Sequence, residues 1–479
     1  MTLPEGFAQM MQRLDNVNSN ALIEALSQPQ VVSIRTNKRK ATAVPLYDDA
    51  TPVAWCEDGV YLPSRPVFTL NPLMHAGCFY VQDASSMIYQ TIATILTAQL
   101  RHDDRPLHIL DLCAAPGGKT TAIINALADH DIIVANEYVP ARAAVLRENI
   151  AKWGFPGAAV TNASAEILGR CGELFDIVAV DAPCSGEGMM RKEVAAVEQW
   201  SESLVHQCAA LQREIVGHAV ECLRPGGFLI YSTCTFNPIE NEENAIAIAE
   251  TYGLEMITLP LPPEWNIAPS CRTGVPALRF MPHITRGEGL FVCVMRKPDE
   301  VNREYEDRNL PKGNATSSKA MCNSGKTKTI HRTEQRNTGK VQLPPLPADW
   351  LQKQEEYRSR FDGKILSMLP VALDEIINKL KGVKILSAGV TTAELKGREW
   401  APASQLALST AFNPEAFKIV DVNEETALSY LRHEALQLPD TTTRGFVVIA
   451  FKGFPLGMVK NIGNRANNLY PTAWKIRHL

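Results

Sequence analysis

LHILDLCAAPGGKTTAIINALA, residues 107–128, passes from a short apolar run through a turn of small residues into a helical pattern. Strand, tight loop and helix in that order make the opening of a β–α–β unit. The pattern continues downstream: IIVANE (132–137) reads as a strand, PARAAVLRENIAKWG (140–154) as a helix, and AAVTNAS (158–164) as a strand. FDIVAVDAPCSG (175–186) is a strand and loop, Ser201 to Leu223 is helical, and GGFLIYSTCT (226–235) is another strand and loop. Alternation of this kind gives right-handed crossovers, hence an α/β fold with a doubly wound, Rossmann-like parallel sheet covered on both faces. Ligands of such sheets sit beyond the carboxyl ends of the strands, where the loops around residues 113, 184 and 234 fall.

Outward from this centre, a chain of 479 residues is too long for one ordinary core. Residues 1–105 contain two expected helices, a strand VVSIRTN, and VQDASSMIYQTIATIL, a helix that Asp83 or Ser85 is placed to cap. This N-terminal α/β extension precedes the central domain, taken as 106–300. Residues 301–340 have nine Lys and Arg against four acids and little apolar periodicity, the signature of a basic linker. A small connecting domain is expected at 341–390 and a compact β-rich module at 391–479. From residue 441 to the end there are six basic residues and no acid, although the whole chain carries a formal charge of −4. A basic face on a mildly acidic protein suits nucleic acid bound locally rather than by gross charge.

Eleven cysteines, an odd number with no C-x-x-C pair, encode neither a disulfide framework nor a zinc ribbon, so no metal is expected. The N-terminus lacks the apolar core of a signal peptide and no apolar run is long enough to span a bilayer. The expectation is a cytoplasmic protein without a membrane partner.

The central loop ends in Gly-Lys-Thr, yet the residue five before Gly118 is Cys113 where a phosphate-binding P-loop needs glycine, and no G-x-G-x-x-G is present. What remains is a turn from Ala114 through Ala115, Pro116 and Gly117 to Gly118, flanked by Cys113 and Lys119, that lets backbone approach a ligand closely. Glu137, at the end of the next strand, is placed to accept hydrogen bonds from two ribose hydroxyls. A nucleoside without a phosphate grip fits S-adenosylmethionine. DLCAAPGGKT resembles the signature of the RNA cytosine-C5 methyltransferases, the family of Nop2, the NSUN proteins and the bacterial Rsm enzymes. The resemblance extends over roughly residues 30–296, through SIRTN, FYVQDASSM with Tyr80 and Gln82, DAPCSG, STCT, and RFMPH followed by GEGLFVC, which hold Arg279, Pro282 and His283.

The resemblance implies a reaction. C5 of cytosine is a poor nucleophile until a thiolate adds to C6, which calls for a cysteine, a group that holds N3 and the exocyclic amine, and a base. By the family pattern Cys234 of the second motif is the nucleophile, Cys184 of the Pro-Cys motif assists product release, and Asp181 holds the base and borders the cofactor. DNA cytosine methyltransferases also have a Pro-Cys motif, but there its cysteine attacks; STCT favours the RNA enzymes. One departure is Asn162, where the family often has Asp near the adenine; its amide can still bond the exocyclic amine.

The C-terminal region resembles a PUA RNA-binding module, which within the family points to the bacterial enzymes acting on 16S ribosomal RNA, free or within the small subunit or its precursor. The implied RNA contacts are Arg35, Asn37 and Lys38 near the site, with Arg39 and Lys40 beside them, and Lys452, Lys460 and Arg465 in the module. The target cytosine has to be flipped or single-stranded. The rivals are a transfer-RNA or DNA cytosine methyltransferase and a non-catalytic RNA-binding assembly factor; intact Asp181, Cys184 and Cys234 argue against the last.

Overall fold

The computed structural model describes residues 3–14, 17–40, 49–299, 343–347 and 349–477. The expected basic linker, 301–340, lies outside the described residues.

Five parallel strands form the centre: β1 (His108–Asp111), β2 (Ile132–Asn136), β3 (Ala158–Asn162), β4 (Phe175–Asp181) and β5 (Leu223–Thr233). They lie in the order β3-β2-β1-β4-β5, so the order reverses at β1, and the crevice there opens at the strands' carboxyl ends. Strands β1 to β4 are apolar on both faces because helices cover both: Ile109 and Ile133 belong to one core cluster, Leu110 and Val134 to the other. Two antiparallel strands, β6 (Ala277–Phe280) and β7 (Leu290–Arg296), extend the sheet beyond β5.

Helix α1 (Gly118–Ala126) leaves the loop after β1, its first turn entered through Gly117 at φ 111°, a left-handed conformation that favours glycine. α2 (Pro140–Trp153) starts with proline in its first turn and ends at Gly154, also left-handed at φ 82°. α3 (Glu202–Cys222) is N-capped by Ser201, whose side chain accepts from Leu204 N, and connects β4 to β5; α4 (Glu242–Tyr252) follows β5.

The C-terminal third departs from the expected division. Strand β8 (Lys384–Ala388) pairs antiparallel with β3 and closes the other edge of the central sheet, while helix α5 (Val371–Lys379) adds Leu373, Ile376 and Ile377 to its core. Residues 341–390 are therefore no separate connecting domain. A boundary at 391 also cuts through a four-stranded sheet made by Tyr357–Phe361, Ile365–Pro370, Val390–Lys396 and Glu399–Pro402. The last sheet, Lys418–Asp421, Gly445–Phe451, Phe454–Asn461 and Ala466–Asn468, is the β-rich module, and its Tyr430, Val447 and Ile449 share one apolar core with Ile34 and Phe79 of the N-terminal sheet. The two ends of the chain are thus packed together. The N-terminal unit holds the two helices, Glu5–Gln12 and Ser19–Leu26, and the strand Val32–Thr36. No described helix is long and apolar enough to cross a membrane.

Candidate active site

The loop after β1 is held from three sides. Ala114 N donates to Asn136 O at 2.8 Å, and Asn136 Nδ2 donates to Leu112 O and Ala163 O, tying the ends of β1, β2 and β3 together. Arg142 of α2 donates to Ala115 O at 2.8 Å, and Asn149 and the Tyr80 hydroxyl donate to Pro116 O. The Ala115–Pro116 peptide is cis. Cys113 is half-buried at the loop's start, where burial first and the Asp111 and Asp181 charges next push its thiol up, so it remains a protonated thiol.

Glu137 stands at the end of β2 with its side chain only 4% exposed. Oε1 accepts from Val139 N at 2.8 Å; Oε2 lies 3.3 Å from Arg142 Nη1 outside hydrogen-bonding geometry and has no hydrogen-bond partner among the described residues. A buried carboxylate oxygen left without a donor is costly, which marks it as an acceptor awaiting a ligand hydroxyl. Asn162 donates its amide to Glu137 O at 2.7 Å and Tyr138 O at 2.8 Å, which orients its side-chain oxygen as the remaining polar atom.

Strand register brings the chemistry together. Asp181 pairs with Ser232 across β4 and β5, so the loops three and two residues later deliver Cys184 and Cys234 to one place. Their sulfurs are 3.2 Å apart. The hydrogen bond to Cys234, then burial, then the Cys234 and Glu240 charges hold the Cys184 thiol well above its ordinary range. The two thiols are thus within hydrogen-bond distance of one another, and either sulfur can be the donor. Asp181 is fixed at both oxygens: Ser232 Oγ donates to Oδ1 at 2.7 Å, and Lys119 Nζ is 2.6 Å from Oδ2. Behind Ser232, the Tyr89 hydroxyl lies 2.8 Å from its Oγ, and Lys119 sits 5.7 Å from the Tyr89 ring centre. Burial works against the Lys119 ammonium, but Asp181 outweighs it and the group is net raised, so it stays charged. Lys119, expected among the cofactor contacts, thus turns its ammonium to Asp181.

Two expected RNA contacts are corrected. Arg35 is fully buried: Nε donates to Gln82 Oε1 at 2.8 Å, Nη1 to Thr121 O at 3.1 Å, and Nη2 to Thr121 Oγ1 and Gly118 O. Asn37 is also buried and donates to Gly77 O and Trp153 O, both at 2.9 Å. Their donors go to the protein's own backbone and side chains, because both residues are covered by neighbouring elements. Arg39 pairs with Asp129, and Lys40 donates to Ala76 O and Lys152 O, leaving Lys38 the exposed one of that run. Lys452, Lys460 and Arg465 are all exposed, the first in the turn before Phe454–Asn461, the second on that strand and the third beyond it. Arg279 is buried in a pair with Glu242 at 2.6 Å and donates to Phe236 O. Among the described residues no group of three His, Cys, Asp or Glu could hold a metal ion.

Sequence reasoning missed Ser232, Tyr89, Glu187 and Glu240. Ser232 lay within the motif STCT; the two acids were not singled out.

Comparison with known proteins gives the family. Residues 95–296 match a family model described as 16S rRNA methyltransferase RsmB/F, residues 3–84 the N-terminal domain of 16S rRNA methyltransferase RsmF, and residues 417–476 the methyltransferase RsmF PUA domain. The chain is similar to ribosomal RNA small subunit methyltransferase F of Enterobacter sp. (strain 638), 32% identical over 98% of this chain and 94% of that one. The protein of the same name from Escherichia coli (strain SE11) is 29% identical over 98% of this chain and 95% of that one. Of solved structures, a methyltransferase homolog protein from Pyrococcus horikoshii aligns with a TM-score of 0.50 at 25% identity, over 61% of this chain and 95% of that one. NSun6 from the same organism shares the fold, with a TM-score of 0.53 at 19% identity over 62% and 99% of the two chains. With the N-terminal, methyltransferase and PUA parts all matched in order and the likeness running nearly end to end, the chain belongs to the ribosomal RNA small subunit methyltransferase F family.

Proposed function

We propose that this 16S ribosomal RNA methyltransferase acts on C5 of a cytosine, with S-adenosylmethionine as methyl donor and a covalent adduct between Cys234 and C6 of the base. The observation that carries the reading is the pair of sulfurs 3.2 Å apart beside a doubly anchored carboxylate. The orphaned Oε2 of Glu137 fits a ribose hydroxyl, and the small-residue turn from Ala114 to Gly118 fits close approach of the ligand. Bound there, S-adenosylmethionine supplies an electrophilic methyl group.

The chain's own residues do the rest. Cys234 attacks as its thiolate; Cys184 lies within hydrogen-bond distance of its sulfur, and the buried Lys119 ammonium adds positive charge at the same site. That thiolate adds to C6 and makes C5 nucleophilic; Asp181, held by Ser232 and Lys119, faces N3 and the amine. After methyl transfer a base takes the C5 proton, the C–H electron pair re-forms the C5–C6 double bond, and the C6–S bond breaks with its pair returning to the Cys234 sulfur, where the neighbouring Cys184 assists by hydrogen-bonding the departing thiolate. Lys38, exposed beside the C-terminal end of α1, and Lys452, Lys460 and Arg465 of the PUA module contact RNA phosphates, and the substrate is ribosomal RNA of the small subunit or its precursor, in the cytoplasm.

Bisulfite mapping of 16S ribosomal RNA and transfer RNA tests this in a deletion strain and in the same strain carrying the gene. A single 16S cytosine that regains protection only with the gene is expected. Protection restored in a transfer RNA instead would move the substrate.

A further inference from the structure

We propose that Glu187 and Glu240 are positioning residues that clamp the two cysteine loops to one another and so set the distance between the Cys184 and Cys234 sulfurs. This rests on the two-cysteine reading above for its catalytic consequence, but not for its geometry.

The clamp is reciprocal. Glu187 belongs to the first loop, three residues after Cys184, and reaches across to the second. Its Oε2 accepts from Phe236 N at 2.6 Å and Asn237 N at 2.9 Å, the amides two and three residues after Cys234. Its Oε1 accepts from Asn237 Nδ2 at 2.9 Å and Trp200 Nε1 at 3.0 Å. Glu240 belongs to the second loop and reaches back to the first. It accepts from Ser185 N at 3.0 Å and from the Ser185 hydroxyl, at the residue after Cys184, and from Gln212 Nε2 at 2.7 Å. Asn237 Nδ2 also donates to Glu240 at 2.8 Å, so one amide joins both carboxylates. A backbone bond from Gly188 N to Cys234 O at 2.7 Å closes the pair of loops.

Both acids are fully buried. Burial, and then the charge of Glu240, pushes the Glu187 carboxyl above its ordinary range, so the two resist being placed together. Apolar packing would hold two loops with less electrostatic cost. What carboxylates add is direction: each fixes specific backbone amides within three residues of a cysteine, which a greasy contact cannot do. Neither loop is a strand or helix at its cysteine, so no ladder holds the sulfurs in register, and these bonds take that part.

The test uses the full chain with Glu187→Gln and Glu240→Gln, which keep volume but turn an NH2 toward donors. Sulfur spacing is read without reference to methylation, by equilibrating each protein with oxidised and reduced glutathione. Closure joins Cys184 to Cys234, two thiols giving two electrons and two protons to one glutathione disulfide, which becomes two thiols. Peptide mass mapping measures the linked fraction and hence the effective concentration of one thiol at the other. The clamp predicts at least a tenfold drop in each variant at a temperature where it remains folded, with kcat for RNA methylation falling and KM for RNA held. An unchanged effective concentration in both variants overturns the clamp. A drop in sulfur coupling with kcat intact leaves the clamp standing and sinks the two-cysteine mechanism instead. Should both variants fail to fold, Ser185→Ala removes a single hydroxyl donor to Glu240 and decides: a smaller drop in the same direction supports the clamp, and no change overturns it.

Discussion

The sulfur of Cys184 lies 3.2 Å from the sulfur of Cys234, although 50 residues separate them in the chain. Neighbouring parallel strands explain the meeting: Asp181 on β4 is in register with Ser232 on β5, and each loop carries its cysteine onward from that pair. The same register gives Asp181 its serine donor, so one strand pairing builds most of the candidate catalytic centre.

Glu137→Ala should weaken S-adenosylmethionine binding by about 10- to 100-fold, since hydrogen bonds to a charged acceptor are worth about 1.5–3 kcal/mol each. The substitution also removes the bond from Val139 N to Oε1 and the Arg142 pair, so the variant's fold is checked first by its melting temperature. Calorimetry on the folded variant checks it; unchanged affinity removes Glu137 from the site.

Arg35→Met and Asn37→Ala should lower stability rather than RNA affinity. Each removes buried donors and strands backbone carbonyls at Thr121, Gly118, Gly77 or Trp153, at about 1–3 kcal/mol per group. Denaturant melts should show the loss, and RNA titrations of the folded variants should match the parent. A drop in affinity without a drop in stability would restore them as RNA contacts.

Asp111 gives the protein a pH-dependent term. Burial raises its carboxyl to about 7, against the opposing hydrogen bond from Thr120. Between about pH 4, where the unfolded chain ionises, and about 7, the folded state keeps a proton that the unfolded state has released. This contribution is full below that window and is lost as pH rises through it. Relative to Asp111→Asn, which cannot ionise, the parent should therefore lose stability from pH 4 to 7 and run parallel above 7. Urea melts across that range measure the difference; parallel curves throughout would contradict it.

Lys452, Lys460 and Arg465 are exposed, on or next to the strand Phe454–Asn461. Replacing all three by Ala should weaken RNA binding most at low salt and flatten the plot of log affinity against log salt by up to about 0.7 per lost phosphate contact on single-stranded RNA. An unaltered slope would give the module another purpose.

Much of the centre was legible because its chemistry is local: the turn at Gly117 and Gly118, the acid at Glu137 and both cysteines each sit directly after an apolar strand. The basic run at Arg35 to Lys40 misled because charge suggests a solvated face. The strand is instead covered on one side by the C-terminal module, through Ile34, and on the other by α1, through Arg35. Likewise β8 was read as part of a later unit, since its pairing with β3 spans more than 200 residues and leaves no local mark. Glu187 and Glu240 leave no local mark in the sequence, since the amides they accept from lie 49 and 55 residues away.

The division of labour between the two sulfurs is tested most directly by trapping. Cys234→Ala should abolish methyl transfer and the covalent adduct with RNA containing 5-fluorocytosine, whose fluorine cannot leave as a proton does. Cys184→Ala should retain attack but release poorly, so a protein–RNA adduct should accumulate on ordinary RNA when S-adenosylmethionine is present. Denaturing gels of both variants with 16S ribosomal RNA fragments make the measurement. Adduct lost in Cys234→Ala and accumulated in Cys184→Ala is the predicted result; adduct surviving in Cys234→Ala and lost in Cys184→Ala would make Cys184 the nucleophile and contradict the account.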